Sequence, residues 1–162
     1  MTPSESDQRL QEMLDREAIR DLVNRYFVAV WQQDADAVAN LFAEDGEFCF
    51  SGIAVGEDGR PIATPDDQTQ TFKGRAKLNE VYKLALAEMR PLPFGHNHVV
   101  DLLGPDRAHG HLVMEMRGAK DFELMGIVTY EDQYAKIDGR WLFTRRFGRV
   151  RQPTRLSEEI RK

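Results

Sequence analysis

Leu10, Met13, Leu14, Ile19, Leu22, Val23, Tyr26, Phe27, Val30 and Trp31 recur at intervals of three and four, apart from a stretch around Arg16 to Ala18, the period of one face of an α-helix. The spacing predicts a single long helix, broadly from Ser6 to Gln33. Ser4, Ser6 and Asp7 are available as N-caps, with acids in the first turns where the helix dipole favours them. The QQDAD segment interrupts the pattern. Asp36 can then cap a short second helix carrying Val38, Leu41 and Phe42, which Asp45-Gly46 stops.

Nothing later repeats that long helical period. GEFCFSGIAV reads as a strand, and EDGRPIATPDDQTQ collects Gly, Pro, Asp and Thr into a loop or wide hairpin. Gly74 to Met89 returns to helical spacing through Leu78, Val81, Tyr82, Ala85, Leu86 and Met89, and RPLPFG ends it with two prolines. HNHVVDLLG, AHGHLVMEMRG, GIVTYEDQYAKI and RWLFTRRFGRV follow as strand-like runs separated by GPD, GAKDFELM and DGR. The order α-α-β-α-β-β-β-β without a repeat or linker predicts one α+β domain over residues 1–162, with an antiparallel sheet covered by helices on one face. Residues 1–6 and 153–162 read as tails.

At 162 residues, a chain buries ~70% of its unfolded surface and needs no staple. Cys49 is the single cysteine, which fits a reducing compartment, and cytoplasm is the default location. No signal-peptide core and no long apolar run occur, so neither secretion nor a membrane span is expected. Net charge is −5. Arg140 to Lys162 nevertheless holds Arg140, Arg145, Arg146, Arg149, Arg151, Arg155, Arg161 and Lys162 against Glu158 and Glu159. In an acidic chain without a recognition motif, this basic stripe reads as a terminal strand paired with the acidic body, and no nucleic-acid partner is expected.

Period-2 alternation places His109, His111, Val113, Glu115 and Arg117 on one strand face, with Ala108, Gly110, Leu112, Met114 and Met116 on the core face. On the following strand Val128, Tyr130, Asp132 and Tyr134 alternate with Ile127, Thr129, Glu131 and Gln133. On the last strand Leu142, Thr144 and Arg146 oppose Trp141, Phe143, Arg145 and Phe147. Mixed faces point to a partner subunit, with a homodimer expected and a homotrimer as the alternative. The pairs His96/His98 and His109/His111 resemble metal-ligand spacing, yet no HExxH, HxxE or paired-Cys pattern supports an ion. GxSxG, GxGxxG and Walker motifs are absent as well.

DREAIRDLVNRYFVAVWQQDADAVANLFAEDGEF resembles the opening of the SnoaL-like branch of the nuclear-transport-factor-2-like (cystatin-like) superfamily. The likeness continues through FKGRAKLNEVY, HNHVVDLLGPDRAHGHLVM and YEDQYAKIDGRWLFTRR, so it spans nearly the whole chain and sits near scytalone dehydratase and related dehydratases. The resemblance implies a cone: a strongly curved antiparallel sheet wrapped around three helices and open at one end onto an apolar pocket. It also implies proton transfer with no cofactor, in which a His or Asp base removes an activated C–H proton while Tyr or Arg stabilises developing charge. The family's helix-one tyrosine falls at Tyr26 and its last-strand arginine at Arg146. Its helix carboxylate falls at Trp31 and its base histidine near Pro93, so the nearest imidazoles are His96 and His98.

The resulting expectation is a lyase or isomerase of dehydratase or cyclase type acting on a hydrophobic small molecule. Its catalytic residues would be Tyr26, His96 and Arg146, its wall Phe27, Trp31, Phe50, His98 and Met114, and its metal and cofactor complement none. The alternative is a non-catalytic small-molecule-binding or assembly module of the same fold.

Overall fold

The computed structural model describes residues 4–151. The expected tail at 153–162 lies outside the described residues, as do residues 1–3 of the expected N-terminal one, but Ser4 caps the first helix and Glu5 and Ser6 belong to it. Ser4 caps α1 (Glu5–Trp31): its hydroxyl accepts from Asp7 N–H at 3.1 Å while the Asp7 carboxylate accepts from Ser4 N–H, a reciprocal capping box. Only the second half of the apolar stripe is used. Ile19, Leu22, Val23, Tyr26, Ala29 and Val30 are buried, whereas Leu10, Met13 and Leu14 stand in solvent because the first turns run beyond the sheet. Asp34, not Asp36, caps α2 (Ala35–Asn40), accepting from Ala37 N–H at 2.9 Å.

Phe42 opens a strand instead of ending that helix. The strand β1 (Phe42–Ser51) pairs with β8 (Arg140–Arg151) in parallel, with an irregularity between Phe42 and Glu47 that absorbs the expected Asp45-Gly46 stop. Three short strands follow: β2 (Ile53–Val55) is the end of the expected strand, cut from β1 at Gly52, β3 (Pro61–Ala63) lies within the expected loop or wide hairpin, and β4 (Thr69–Lys73) begins at its end. β2 and β3 form a separate hairpin, and β4 lines the outer edge of β1. Helix α3 (Arg75–Met89) leads into β5 (Pro91–Leu102), β6 (Arg107–Gly118) and β7 (Leu124–Ile137).

The six-stranded sheet runs β4-β1-β8-β7-β6-β5. Pro91 and Pro93 do not merely end α3; they begin β5, an edge strand, where a missing N–H costs no ladder bond. Phe42, Phe143, Tyr134 and Val38 pack the narrow end of the cone, all essentially inaccessible to solvent. The end is pinned by Asp15 of α1, whose Oδ1 accepts from Trp141 Nε1 at 2.9 Å and from Lys136 Nζ at 2.6 Å. Among the described residues no helix is long and apolar enough to cross a membrane.

Two bulges decide which side chains point into the cone. In β5, His96 pairs with Val113 and Val99 with His111, so β5 carries one residue more than β6 across that interval. Asn97 takes the left-handed conformation there (φ 42°), which asparagine tolerates. In β8, Arg145 pairs with Gln133 and Phe143 with Tyr134, leaving Thr144 as the extra residue. Each insertion inverts the alternation beyond it. His98 therefore turns inward while His96 turns out, and Arg146 joins Trp141 and Phe143 on the inner face rather than opposing them.

Candidate functional site

A narrow apolar cavity occupies the wide end of the cone. Its wall is built from Tyr26 and Val30 of α1, Val81, Tyr82, Ala85, Leu86 and Met89 of α3, and the inward residues of the sheet. Phe48 and Phe50 come from β1, Pro91 and Pro93 from β5, Met114 and Met116 from β6, Val128 and Tyr130 from β7, and Gly148 and Val150 from β8. Ile53 and Val55 of the hairpin close the remaining side.

The pocket's polar groups are tyrosine hydroxyls. Tyr26 and Tyr82 share a hydrogen bond of 2.7 Å between their oxygens. Burial foremost, and then each one's tyrosine neighbour, raises the hydroxyls of Tyr26, Tyr82 and Tyr130 above the ordinary tyrosine range; the positive charge of Arg146 pulls the other way without prevailing. At neutral pH all three carry their protons, so each is a hydrogen-bond donor or acceptor and none is an anion.

Behind these rings lies Arg146, fully buried. Its Cζ is 4.2 Å from the centroid of the Tyr26 ring, 3.9 Å from that of Tyr130 and 4.8 Å from that of Phe143. Three aromatic faces thus surround a guanidinium none of whose nitrogens has a hydrogen-bond partner among the described residues. The charge is balanced by Asp132, whose Oδ1 lies 3.5 Å from Arg146 Nε. Asp132 is itself buried, and that burial drives its carboxyl up to about 6 despite the opposing pull of Arg146 and of the Tyr134 hydroxyl. Arg146 stays charged: its buried site disfavours the cation, but Asp132 and the tyrosines more than compensate.

Tyr134 extends the network toward solvent. Its hydroxyl donates to Asp132 Oδ2 at 2.9 Å and lies 3.2 Å from His98 Nε2. Since the one phenolic proton is used on Asp132, the oxygen accepts from His98, which places the imidazole proton on Nε2 and leaves Nδ1 basic. Burial, followed by the charges of Arg146 and Arg20, lowers His98 from 6.5 to about 4. Gly110 makes room for this arrangement, since a Cβ there would sit 2.5 Å from the Tyr134 hydroxyl oxygen.

Of the residues expected at the site, Tyr26, Phe50 and Met114 line the cavity and Arg146 lies directly behind it. His98 reaches the inner network but not the cavity wall. His96 is placed differently from the expectation: its side chain is half exposed on the outer face, 3.7 Å from Glu115, because the Asn97 bulge intervenes. Trp31 is also outside, 43% exposed. It donates from Nε1 to the Pro93 carbonyl at 2.8 Å and packs edge-on against Phe94. Phe27 is half-buried against Gly95 and borders Arg146 at 5.9 Å without lining the cavity. His109 and His111 stand exposed on the outer face, and among the described residues no three metal-ligating side chains cluster.

Tyr82, Tyr130, Asp132 and Tyr134 were not singled out by sequence. The signal for three of them was present in the alternation of β7, which puts Tyr130, Asp132 and Tyr134 on one face. Tyr82 is hidden in the apolar stripe of α3, where a tyrosine reads as core.

A strongly curved, largely antiparallel sheet wrapped around three helices, with its cavity at the wide end, is a cystatin-like α+β fold. The sequence profile of the SnoaL-like domain matches residues 11–147, and the chain belongs to that family. No curated protein matches it in sequence. Among solved structures, a nuclear-transport-factor-2-like protein with a cystatin-like fold from Novosphingobium aromaticivorans is 23% identical, covers 92% of its own length and 93% of this chain, and superposes with a TM-score of 0.72. A protein of unknown function from Mycobacterium tuberculosis is 24% identical over 92% of this chain and 76% of that one, with a TM-score of 0.69. The LinA-type3 hexachlorocyclohexane dehydrochlorinase from Novosphingobium barchaimii is 20% identical over 88% of this chain and 90% of that one, with a TM-score of 0.67. At these identities the likeness is one of fold.

Proposed function

We propose that the cone binds a hydrophobic small molecule carrying one oxygen function and acts on it as a cofactor-free lyase or isomerase. The observation that carries this reading is the Tyr26–Tyr82 hydroxyl pair, 2.7 Å apart at the inner end of an otherwise apolar cavity. Of the two hydroxyls one donates to the other, so one proton remains to be given to a ligand oxygen. The Arg146 charge behind the Tyr26 and Tyr130 rings favours negative charge developing there, and the surrounding low dielectric magnifies that effect. Asp132, raised to about 6, has a proton affinity that suits a base at neutral pH, and it sits behind the cavity wall beside Arg146 rather than in it. The dehydrochlorinase among the fold neighbours is in keeping with elimination chemistry on an apolar substrate in such a cone.

A second reading, a binding module without chemistry, is favoured by one specific fact: among the described residues no histidine and no carboxylate lines the cavity wall. The two separate in a proton-exchange experiment. Ketones and β-hydroxy ketones with fused or terpenoid-like ring systems are first ranked by thermal shift, and those that bind are incubated with the protein in D₂O. Enzyme-dependent deuterium incorporation next to the carbonyl, lowered at least ~10-fold by Tyr26→Phe, is the expected result. Tight binding with no incorporation for any bound compound leaves the binding module as the function.

A further inference from the structure

The hairpin of β2 and β3 is the one wall of the cavity that does not belong to the main sheet or to a helix. Ile53 and Val55 face the cavity, while all of β3 is exposed on the other side. The hairpin leaves β1 at Gly52, whose φ of 83° suits glycine alone and whose Cβ position is filled by the Val150 carbonyl oxygen, 2.1 Å away. Its base is closed by Thr64 N–H donating to the Gly52 carbonyl at 3.1 Å.

Beyond that base, two small attachments hold it down. The Gln70 side chain of β4 acts as a clasp on one residue: its Oε1 accepts from Val55 N–H at 2.8 Å and its Nε2 donates to the Val55 carbonyl at 3.3 Å. At the far end Gly59 rests on α3, where an added Cβ would lie 2.8 Å from the Leu84 carbonyl oxygen, and Arg60 Nε reaches Glu88 at 3.7 Å. The ion pair is solvent-exposed and therefore weak. A two-stranded hairpin is marginal by itself. The apolar contact of Ile53 and Val55 and these two attachments are what keep it closed.

We propose that residues 52–64 form a strap across the mouth of the cavity, pivoting at Gly52 and latched by Gln70 on β4 and by Glu88 on α3, and that its opening admits the ligand. The proposal rests on the cavity being a ligand site, but its test needs no ligand. Gln70→Ala and Glu88→Ala each release one latch without touching the cavity wall. In hydrogen–deuterium exchange, amides of 53–63 are expected to exchange faster than those of β7 and β8; Gln70→Ala is expected to accelerate them by about 3- to 10-fold and Glu88→Ala by about 2- to 3-fold, while leaving β7 and β8 unchanged. Access to the interior is read by N-ethylmaleimide labelling of Met114→Cys, with Met116→Cys as the alternative probe position. The same chain without the introduced thiol gives the background from buried Cys49. Labelling should speed up in parallel with exchange when either latch is removed. Protection of 53–63 equal to that of β7, or faster exchange with unchanged labelling, overturns the strap. Neither result bears on proton transfer, so the failure of this inference and the failure of the proposed chemistry are distinguishable.

Discussion

Arg146 and Tyr26 meet face-on, the guanidinium carbon 4.2 Å from the ring centroid, and with Tyr130 on the other side the cation is enclosed by π-systems rather than hydrogen bonds. A guanidinium so placed is costly to bury unless both the rings and a counter-charge are in position. Asp132 supplies that counter-charge. Removing one partner should therefore cost more than removing both. Arg146→Met is expected to lower stability by about 3–5 kcal/mol, because Asp132 is left buried and uncompensated, and Arg146→Met with Asp132→Leu should recover more than half of that loss. Urea denaturation of the two single variants and the double variant gives the coupling. An additive double variant contradicts it.

The inner network should also be visible as two opposing pH dependences. Asp132 is raised from 3.8 to about 6, so between these values the folded protein keeps a proton that the unfolded chain has released. Its contribution to stability is complete below 3.8 and is lost as pH rises through 6. His98 is lowered from 6.5 to about 4, so its contribution is complete above 6.5 and is lost as pH falls through 4. The two windows overlap and nearly cancel in the natural chain. Relative to it, His98→Gln should become less stable as pH is raised from 4 to 6, whereas Asp132→Asn should become more stable from 4 to 6.5. Thermal melts across that range decide it; parallel profiles for all three proteins would leave neither shift standing.

The long first helix, the third helix and the last four strands were legible from periodicity, because period and burial agree wherever a strand or helix is regular. The inner and outer assignments of His96, His98 and Arg146 were not legible, because each depends on a single extra residue in a strand. Asn97, with φ 42°, is of a residue type that bulges accept, but Thr144 carries no such signal. The hairpin at 53–63 was legible only in part: the turn-forming residues left a loop or wide hairpin open after Val55, and strands of three residues leave no alternation to fix its pairing. Trp31 continues the apolar stripe of α1 and so resembled a wall residue. It sits instead against the outside of β5, bonded to Pro93 and packed on Phe94, while its neighbour Val30 takes the inward position.

Gly110 offers a direct test of the network's geometry. Adding a methyl group there places a carbon 2.5 Å from the Tyr134 hydroxyl oxygen, which must move and so leave His98 or Asp132. Gly110→Ala should cost roughly 1–3 kcal/mol through overpacking. It should also return the His98 titration, followed by its imidazole proton resonances, from about 4 toward 6.5 as packing around the ring loosens. Unchanged titration with unchanged stability would mean that the glycine is not what admits the tyrosine.

Which surface receives the ligand is decided by comparing Phe50 with Trp31. Phe50 is 3% exposed and lines the cavity, whereas Trp31 is 43% exposed and bonded to the Pro93 carbonyl outside it. A ligand seated in the cone loses a ring of apolar contact in Phe50→Ala, on the order of 2–3 kcal/mol or a 30- to 150-fold weaker Kd. The same ligand does not touch Trp31, and Trp31→Ala should shift Kd by no more than about 3-fold. The measurement is a fluorescence titration with 8-anilinonaphthalene-1-sulfonate, an anionic dye that brightens against apolar surface, on each variant after its fold is checked by circular dichroism. If Trp31→Ala weakens binding more than Phe50→Ala, the ligand lies on the outer surface beside Trp31 and Phe94, and the cavity is only the hollow of the fold.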